Sequence, residues 1–429
     1  MAVYACVLAA LLPVLSLSLD EILDLMTART ADWHGFLTAV ALNSGAAPLG
    51  YATQALAVHW PGLSAYSGRL PSALFSVVAC VGIFFLARRL QLRWPLLAVV
   101  IFAVFPLQFR YALEARRYSQ WLCLSIWSTV AFFGLLDRPR SIGRALLYGF
   151  SLTAGMYTLP FTLFVAVAHF AWACRISREP GKATLPYSSG LAILIAGLAF
   201  LPWYLYAAPV WRQGIESGNL KDAITWHAVP MILRELVGAG YIGSALVLLG
   251  FVYGLTKRSD WLLWMLYALL PIICAVAADA FFGYFLAIRQ MIVVLAPLAL
   301  LFTDGVEALP RRPAALLTAA LLIALMVGNL NFYRRPREDW RTAAAILAAE
   351  PCVIYAPPDS RPLYTFFVPD LANRECAPGS VPRVALAVRP YAPKGRSAGR
   401  EEDQLTGTGY MKRAELNPAT PRVEIYVRP

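Results

Sequence analysis

The sequence predicts an α-helical polytopic membrane protein with a small C-terminal α/β domain. Three observations carry that expectation. Apolar residues recur in long blocks, and the basic residues between those blocks alternate in a way that orients them. The composition then changes at Asn331, where Arg, Pro and Glu become frequent. An ordinary soluble domain carries roughly a quarter charged residues. This chain of 429 residues is 14% charged and 59% hydrophobic.

About eleven blocks approach the length needed to cross roughly 30 Å of hydrocarbon. In order they are Val3–Leu19, Leu70–Ala87, Pro95–Phe109, Gln120–Leu136, Ala145–Thr158, Phe161–Cys174, Gly190–Tyr206, Val237–Leu255, Trp261–Ala278, Ile288–Thr303 and Ala314–Leu330. The first lacks the basic start and small-residue cleavage site of a signal peptide, so it reads as a spanning helix. The pair flanking Leu159-Pro160 reads either as two short spans or as one irregular region.

Alternate loops carry Arg88, Arg89 and Arg93; Arg138, Arg140 and Arg144; Arg175, Arg178 and Lys182; Lys257 and Arg258; and Arg311 and Arg312. If every block spans, all fall on one side, and the positive-inside rule makes that side cytoplasmic. The expected localisation is the cell inner (cytoplasmic) membrane, with the N-terminus inside. The loop Asp20–Arg69 and the tail from Asn331 are then outside. That first loop holds Trp33, Trp60 and Tyr66 in amphipathic stretches, which suit helices lying at the membrane interface. The stretch Trp211–Arg234 has the same character.

In the tail, Trp340–Glu350 reads as a helix. Cys352–Tyr355, Val384–Val388 and Val423–Val427 read as strands, and Pro393–Thr408 as a mobile loop. The expected division is a transmembrane domain over 1–333 and an extracytoplasmic domain over 334–429, without internal repeat.

The net charge of +12 raises the question of nucleic acid. The basic residues sit in the inter-block clusters, with no basic stripe or stacking-aromatic motif, so nucleic-acid binding is not expected. Cys6, Cys80, Cys123, Cys174 and Cys274 lie in apolar blocks and read as small packing residues. Cys352 and Cys376 share the tail and would be able to pair if it is outside. His34, His59, His169 and His227 are scattered, and no ligand spacing points to a structural metal.

Ionisable residues at the external ends of the blocks are the candidate chemistry, since charge at a membrane boundary is costly unless paired, solvated or used. Asp20-Glu21 follows the first block. The pair reads as a solvated helix start, with Asp as cap and Glu in the first turn. On spacing alone that is the favoured reading; the functional reading is a general base that takes a proton from an acceptor. The run Arg110–Tyr118 follows the third block and breaks the positive-inside trend with Arg110, Arg116 and Arg117. Guanidinium forks match phosphate oxygens, and Glu114 is placed to orient one of them; a self-neutralising surface cluster is the plainer reading. Arg289, near aromatic Phe281–Phe285, suits an anionic lipid headgroup or simple snorkelling. Arg69, Arg212, Lys221 and Arg234 are further external cations.

Asp20-Glu21, then Gly68-Arg69-Leu70-Pro71-Ser72-Ala73-Leu74, then Glu114-Ala115-Arg116-Arg117-Tyr118, resemble the GT-C-fold membrane glycosyltransferases. The nearest groups are bacterial family 39 proteins related to protein O-mannosyltransferases, the lipid A aminoarabinose transferases and the rhizobial lipopolysaccharide galacturonosyltransferases. Arg337-Glu338-Asp339-Trp340-Arg341 is similar to a segment that often follows the last span in these proteins. The resemblance implies a polyprenyl-phosphate-linked sugar donor and inverting transfer on the extracytoplasmic side, to an acceptor it does not identify. It makes Asp20 the base and Glu21 its neighbour, and it matches Glu114, Arg116 and Tyr118 to the second external motif. It requires no cofactor, although some relatives use a divalent cation such as Mg or Mn. One departure is plain: where relatives carry a His-Pro-Pro-like segment, this chain has Ala46-Ala47-Pro48-Leu49-Gly50-Tyr51. A transporter or lipid flippase is the first alternative. It would place charges or broken helices near the midplane, often in an inverted repeat. A non-catalytic scaffold that keeps the fold is the second.

Overall fold

The structure is a computed structural model that describes residues 1–43, 45–59, 65–216, 228–282, 287–334, 338–389, 399–417 and 421–428. Trp60, Lys221, His227, Gly283-Tyr284-Phe285, Arg337 and the 393–398 part of the expected tail loop lie outside those residues. The described chain divides into two compact units. One joins Met1–Leu12 to Thr27–Arg334, and the other joins Pro13–Met26 to Arg335–Pro429.

The apolar blocks form the helices of the first unit, and prolines end or bend some of them. The first block is a correction. Its helix covers only Ala2–Leu11, about 15 Å at 1.5 Å per residue, which is short of the hydrocarbon thickness. Pro13 ends it, because proline has no N–H and its ring crowds the carbonyl one turn back. The block Pro95–Phe109 is also not one rod: helices Pro95–Val104 and Pro106–Ala112 meet at 70°. Phe105 sits before Pro106 with φ −55° and ψ 122°, the extended backbone a following proline imposes. Asn329 Nδ2 donates to the freed carbonyl of Val104 at 2.8 Å, the kind of repair apolar surroundings demand.

The stretch around Leu159-Pro160 forms two separate helices, Ile142–Thr158 and Thr162–Ile176. Leu70–Arg89, Tyr118–Asp137, Leu185–Glu216, Trp261–Phe282 and Arg311–Arg334 are continuous. Ile288–Val294 is a 3₁₀ turn leading into helix Leu295–Glu307. Among the described residues five helical segments are long and apolar enough to cross a membrane, and up to seven if each bent pair is one span. The chain is thus a helical membrane protein.

Helix Ala228–Val237 meets Gly240–Thr256 at a sharp corner, 85° as measured from Met231. Gly238 and Gly240 turn that corner with φ of +72° and +68°, a conformation that glycine alone adopts cheaply. Helix Gly240–Thr256 then packs against Leu295–Glu307 with backbones nearly touching. A Cβ at Gly254 would lie 2.2 Å from the Leu301 carbonyl oxygen, and one at Gly305 2.2 Å from that of Gly250. The Gly250-x-x-x-Gly254 spacing supplies the small-residue face on which such contacts depend. At the end of Tyr118–Asp137, Arg144 and Lys182 donate to the carbonyls of Gly134 and Leu136, acceptors that a helix terminus leaves open.

The first loop contains helices Leu19–Ala28, Trp33–Leu42 and Pro48–Val58 and the 3₁₀ turn Ala65–Arg69. In the second unit, strands β1 (Val353–Ala356), β2 (Arg383–Val388), β3 (Met411–Asn417) and β4 (Arg422–Val427) form one sheet of order β1-β2-β4-β3. The β1–β2 pair is parallel and the others antiparallel. Helix Trp340–Ala348 precedes the sheet, with the Asp339 carboxylate capping Thr342 N–H at 3.1 Å. Cys352 and Cys376 form a disulfide with Cα atoms 5.7 Å apart. Strand β3 was not anticipated: Met-Lys-Arg-Ala-Glu-Leu-Asn has almost no apolar alternation, and as a sheet edge it needs none. The expected loop Pro393–Thr408 is corrected in its second half, where Gly399–Gly407 is a helix that buries Leu405.

Candidate active site

In the first unit Arg116, Arg117 and Arg289 gather on one tyrosine. Proline breaks the third block, the short helix Pro106–Ala112 follows, and the turn Leu113–Arg117 leads into Tyr118–Asp137. Arg116 and Arg117 are buried there, at 6% and 7% exposure. Their guanidinium carbons lie 5.4 and 5.7 Å from the centre of the Tyr118 ring. Arg289, carried by the 3₁₀ turn Ile288–Val294, donates through Nε to the Tyr118 hydroxyl at 2.8 Å and also lies over the ring at 5.8 Å. Each contact falls within the range in which an aromatic quadrupole attracts a cation. Tyr111 backs Tyr118 with ring centroids 4.7 Å apart.

The turn is fixed from two sides. The Arg116 N–H donates to the Glu114 carbonyl at 2.7 Å, and Ser72, in the Gly68–Leu74 segment, donates to the Arg116 carbonyl at 2.9 Å. On the other side, the segment that includes Pro48 and Tyr51 supplies a support. Pro48 starts helix Pro48–Val58. From it Tyr51 offers its hydroxyl to Arg117 Nη1 at 2.5 Å and to Asn43 Nδ2 at 2.7 Å. The guanidinium also lies 5.2 Å from the Tyr51 ring centre. Gly50 makes room, since a Cβ there would lie 2.6 Å from Arg117 Cβ. Thr53 donates to Gln120 at 2.6 Å and secures the same helix one turn on. A small gap of about 150 Å³ lies beside Arg116 and Arg117, lined also by Pro71, Ser72 and Gln120.

Glu114 is buried at 6% exposure, and its carboxylate pairs with Arg110 Nε at 2.7 Å. Arg110 lies 4.8 Å from the Phe332 ring centre. Arg69 is fully buried, and its Nη1 donates to the Leu12 carbonyl at 3.0 Å. Arg212 is exposed, and Arg234 pairs with its neighbour Glu235 at 2.6 Å. His169 is buried between Tyr148 at 3.1 Å and Thr129 at 3.2 Å, stacked on Phe132; His34 and His59 are exposed. Among the described residues no group of three His, Cys, Asp or Glu side chains is placed to hold a metal ion.

In the second unit the acidic pair opens helix Leu19–Ala28. Its cap is Ser18, not Asp20. The Ser18 N–H and hydroxyl donate to Glu21 Oε2 at 3.0 and 3.2 Å, and the Glu21 N–H approaches Ser18 Oγ at 3.4 Å. This is the reciprocal S-x-x-E capping box, and it explains why Glu21 is held at 1% exposure. Asp20, one position earlier, is exposed. Asp24 was missed in the sequence: it is buried at 3% exposure, four residues after Asp20 on the same helical face. The Asp-x-x-x-Asp spacing was the available signal.

The chain shares the GT-C fold of solved membrane glycosyltransferases. Solved structures of that fold superpose on nearly the whole chain. ArnT from Cupriavidus metallidurans bound to undecaprenyl phosphate matches with TM-score 0.64 and 11% identity, over 99% of this chain and 97% of that one. Arabinofuranosyltransferase AftD from Mycobacteria matches with TM-score 0.56 and 16% identity, over 99% of this chain and 39% of that one, so the chain spans well under half of its length. The Archaeoglobus fulgidus oligosaccharyltransferase AglB, in complex with an inhibitory peptide and a dolichol-phosphate, matches with TM-score 0.53 and 9% identity, over 90% and 66%. No family model and no curated protein sequence matches the chain.

Proposed function

We propose that this chain transfers a sugar, a hexose or a pentose, from a polyprenyl-phosphate-linked donor to an acceptor of the cell envelope. The acceptor is a glycan, lipid or protein, and transfer takes place at the outer face of the cytoplasmic membrane. The observation that carries the reading is the seating of Arg116, Arg117 and Arg289 on Tyr118, in a fold shared with an undecaprenyl-phosphate-bound transferase. Guanidinium forks held rigid at a membrane boundary suit a phosphate whose negative charge grows as the sugar departs.

In this mechanism Asp20 accepts the proton of an acceptor hydroxyl or amine as its lone pair attacks the anomeric carbon. The new bond to the sugar forms as the bond from the anomeric carbon to the phosphate oxygen breaks. Polyprenyl phosphate leaves with the electron pair, and the configuration inverts. The arginines bear the leaving charge; Glu21 holds the helix start and Glu114 holds Arg110. The basic clusters on alternate loops support a cytoplasmic N-terminus and an extracytoplasmic C-terminal domain.

The test is binding and turnover by the purified chain in nanodiscs. Undecaprenyl phosphate should bind saturably, and a lipid-phosphate-linked pentose or hexose should be consumed with release of the phosphate lipid. Failure to bind any polyprenyl phosphate would remove the proposal. A chelator leaves the rate unchanged if guanidiniums alone carry the leaving charge, and lowers it if Mg or Mn shares that charge.

A further inference from the structure

The Glu-Asp-Trp segment after the last span is built around a single carboxylate oxygen. Glu338 Oε2 accepts the backbone N–H of Leu19 at 2.6 Å and the indole N–H of Trp340 at 2.8 Å. Leu19 is the first residue of the helix that carries Asp20, Glu21 and Asp24, and it lies 319 positions before Glu338 in the chain. The first N–H groups of a helix have no partner within it. Here the Glu21 N–H turns to Ser18 and the Leu19 N–H to Glu338. A carboxylate in that place makes a charge-assisted bond and also faces the positive end of the helix dipole. Trp340 is fully buried, and Asp339 caps the helix that Trp340 begins. Glu338 therefore stands on the anchored start of a helix of the C-terminal domain, not on a free tail.

We propose that Glu338 is a positioning residue: the C-terminal domain sets the place of the Asp20 helix through the bond from Leu19 N–H to Glu338. This rests on the reading of Asp20 as the base. A general base works only within hydrogen-bond reach of its proton, and displacement by about 1 Å costs about 10²-fold in rate. A bond to the residue immediately before Asp20 is the shortest route by which a distant segment controls that distance. Trp340 fixes the carboxylate from the other side, so its direction is set before it meets the helix.

The experiment uses the full chain in nanodiscs. Glu338→Ala and Glu338→Leu remove the acceptor, the second without leaving a hole, while Glu338→Gln keeps an oxygen for both donors. Hydrogen exchange of the Leu19 amide should quicken about tenfold or more in the first two variants and stay near the parent rate in the third. Donor turnover should fall about 10²-fold in kcat, with donor KM within about twofold, and Glu338→Gln should restore most of it. Unchanged Leu19 exchange in both Glu338→Ala and Glu338→Leu overturns the proposal, as does faster exchange with undiminished kcat. A parent protein that turns over no lipid-linked sugar removes the transferase reading alone. The exchange arm still decides whether Glu338 holds the helix.

Discussion

Arg289 Nε donates to the hydroxyl of Tyr118 at 2.8 Å across 171 residues of chain. This bond joins the 3₁₀ turn before one helix to the first residue of another. Arg289→Ala is expected to weaken undecaprenyl phosphate binding by about 2 kcal/mol or more, roughly 30-fold in Kd, and Arg116→Ala similarly. Acceptor affinity should change little. Tyr118→Phe, which keeps the ring beneath the cations, should cost less than Tyr118→Ala. Equilibrium binding of labelled lipid phosphate checks all four.

Tyr51 accepts from Arg117 Nη1 and holds its guanidinium. Tyr51→Phe removes an acceptor shared by Arg117 and Asn43. Loss of a buried acceptor costs about 1–3 kcal/mol, so the apparent Tm in detergent should drop by several degrees and donor binding should weaken. Gly50→Ala should do the same by displacing Arg117, whose Cβ would stand 2.6 Å from the new methyl. Unchanged Tm and binding in both would show that this support is dispensable.

Asp20→Asn is expected to lower transfer by about 10²–10⁴-fold, the usual worth of general base catalysis, with expression and Tm at parent values. Glu21 should behave differently because it closes the capping box with Ser18. Glu21→Ala should lose about 1 kcal/mol of stability. Glu21→Gln, which can still cap, should keep transfer within a few-fold of the parent. Single-turnover kinetics beside thermal unfolding separates the two roles.

The Cys352–Cys376 disulfide closes a 24-residue separation. Replacing both by Ser should cost about 2–4 kcal/mol of domain stability. An impermeant maleimide added to intact cells should label Cys376, the less buried partner, only after reduction. Labelling that requires lysis would place the domain on the cytoplasmic side.

In strand β3, Lys412 donates to Glu415 at 2.8 Å and to Glu424 at 2.7 Å. These bonds raise the Lys412 pKa, and the bond from Lys412 lowers that of Glu415. The depressed carboxylate adds stability above its unfolded pKa and loses it as pH falls through the lower folded value. The raised ammonium adds stability below its unfolded pKa and loses it as pH rises through the higher folded value. Lys412→Met should therefore destabilise most near neutral pH, and the difference should fade in acid and in strong alkali. Tm measured across pH tests this.

Each apolar block could be read as a helix because hydrocarbon leaves the backbone only itself to bond with, so a long apolar run is sufficient information. Pro13 and Pro106 were equally visible, yet the block pattern hid them: hydrophobicity does not fall at a proline while the hydrogen-bond ladder does. Strands β1, β2 and β4 were legible from their β-branched residues, whereas β3, an edge of charged residues, carried no such signal. The capping box was present as Ser18-x-x-Glu21, and Asp20 drew attention away from it.

The sequence by itself determined that this is a helical membrane protein, where its polar tail begins, and which arginines and carboxylates stand at helix ends. Only the tertiary structure decided what those residues touch there. It set Arg117 on Tyr51, Arg289 on Tyr118 and Leu19 on Glu338, pairs separated by 66, 171 and 319 positions. Helix formation is local and is written in adjacent residues. A hydrogen bond between distant side chains is specified only when packing has brought their helices to one place.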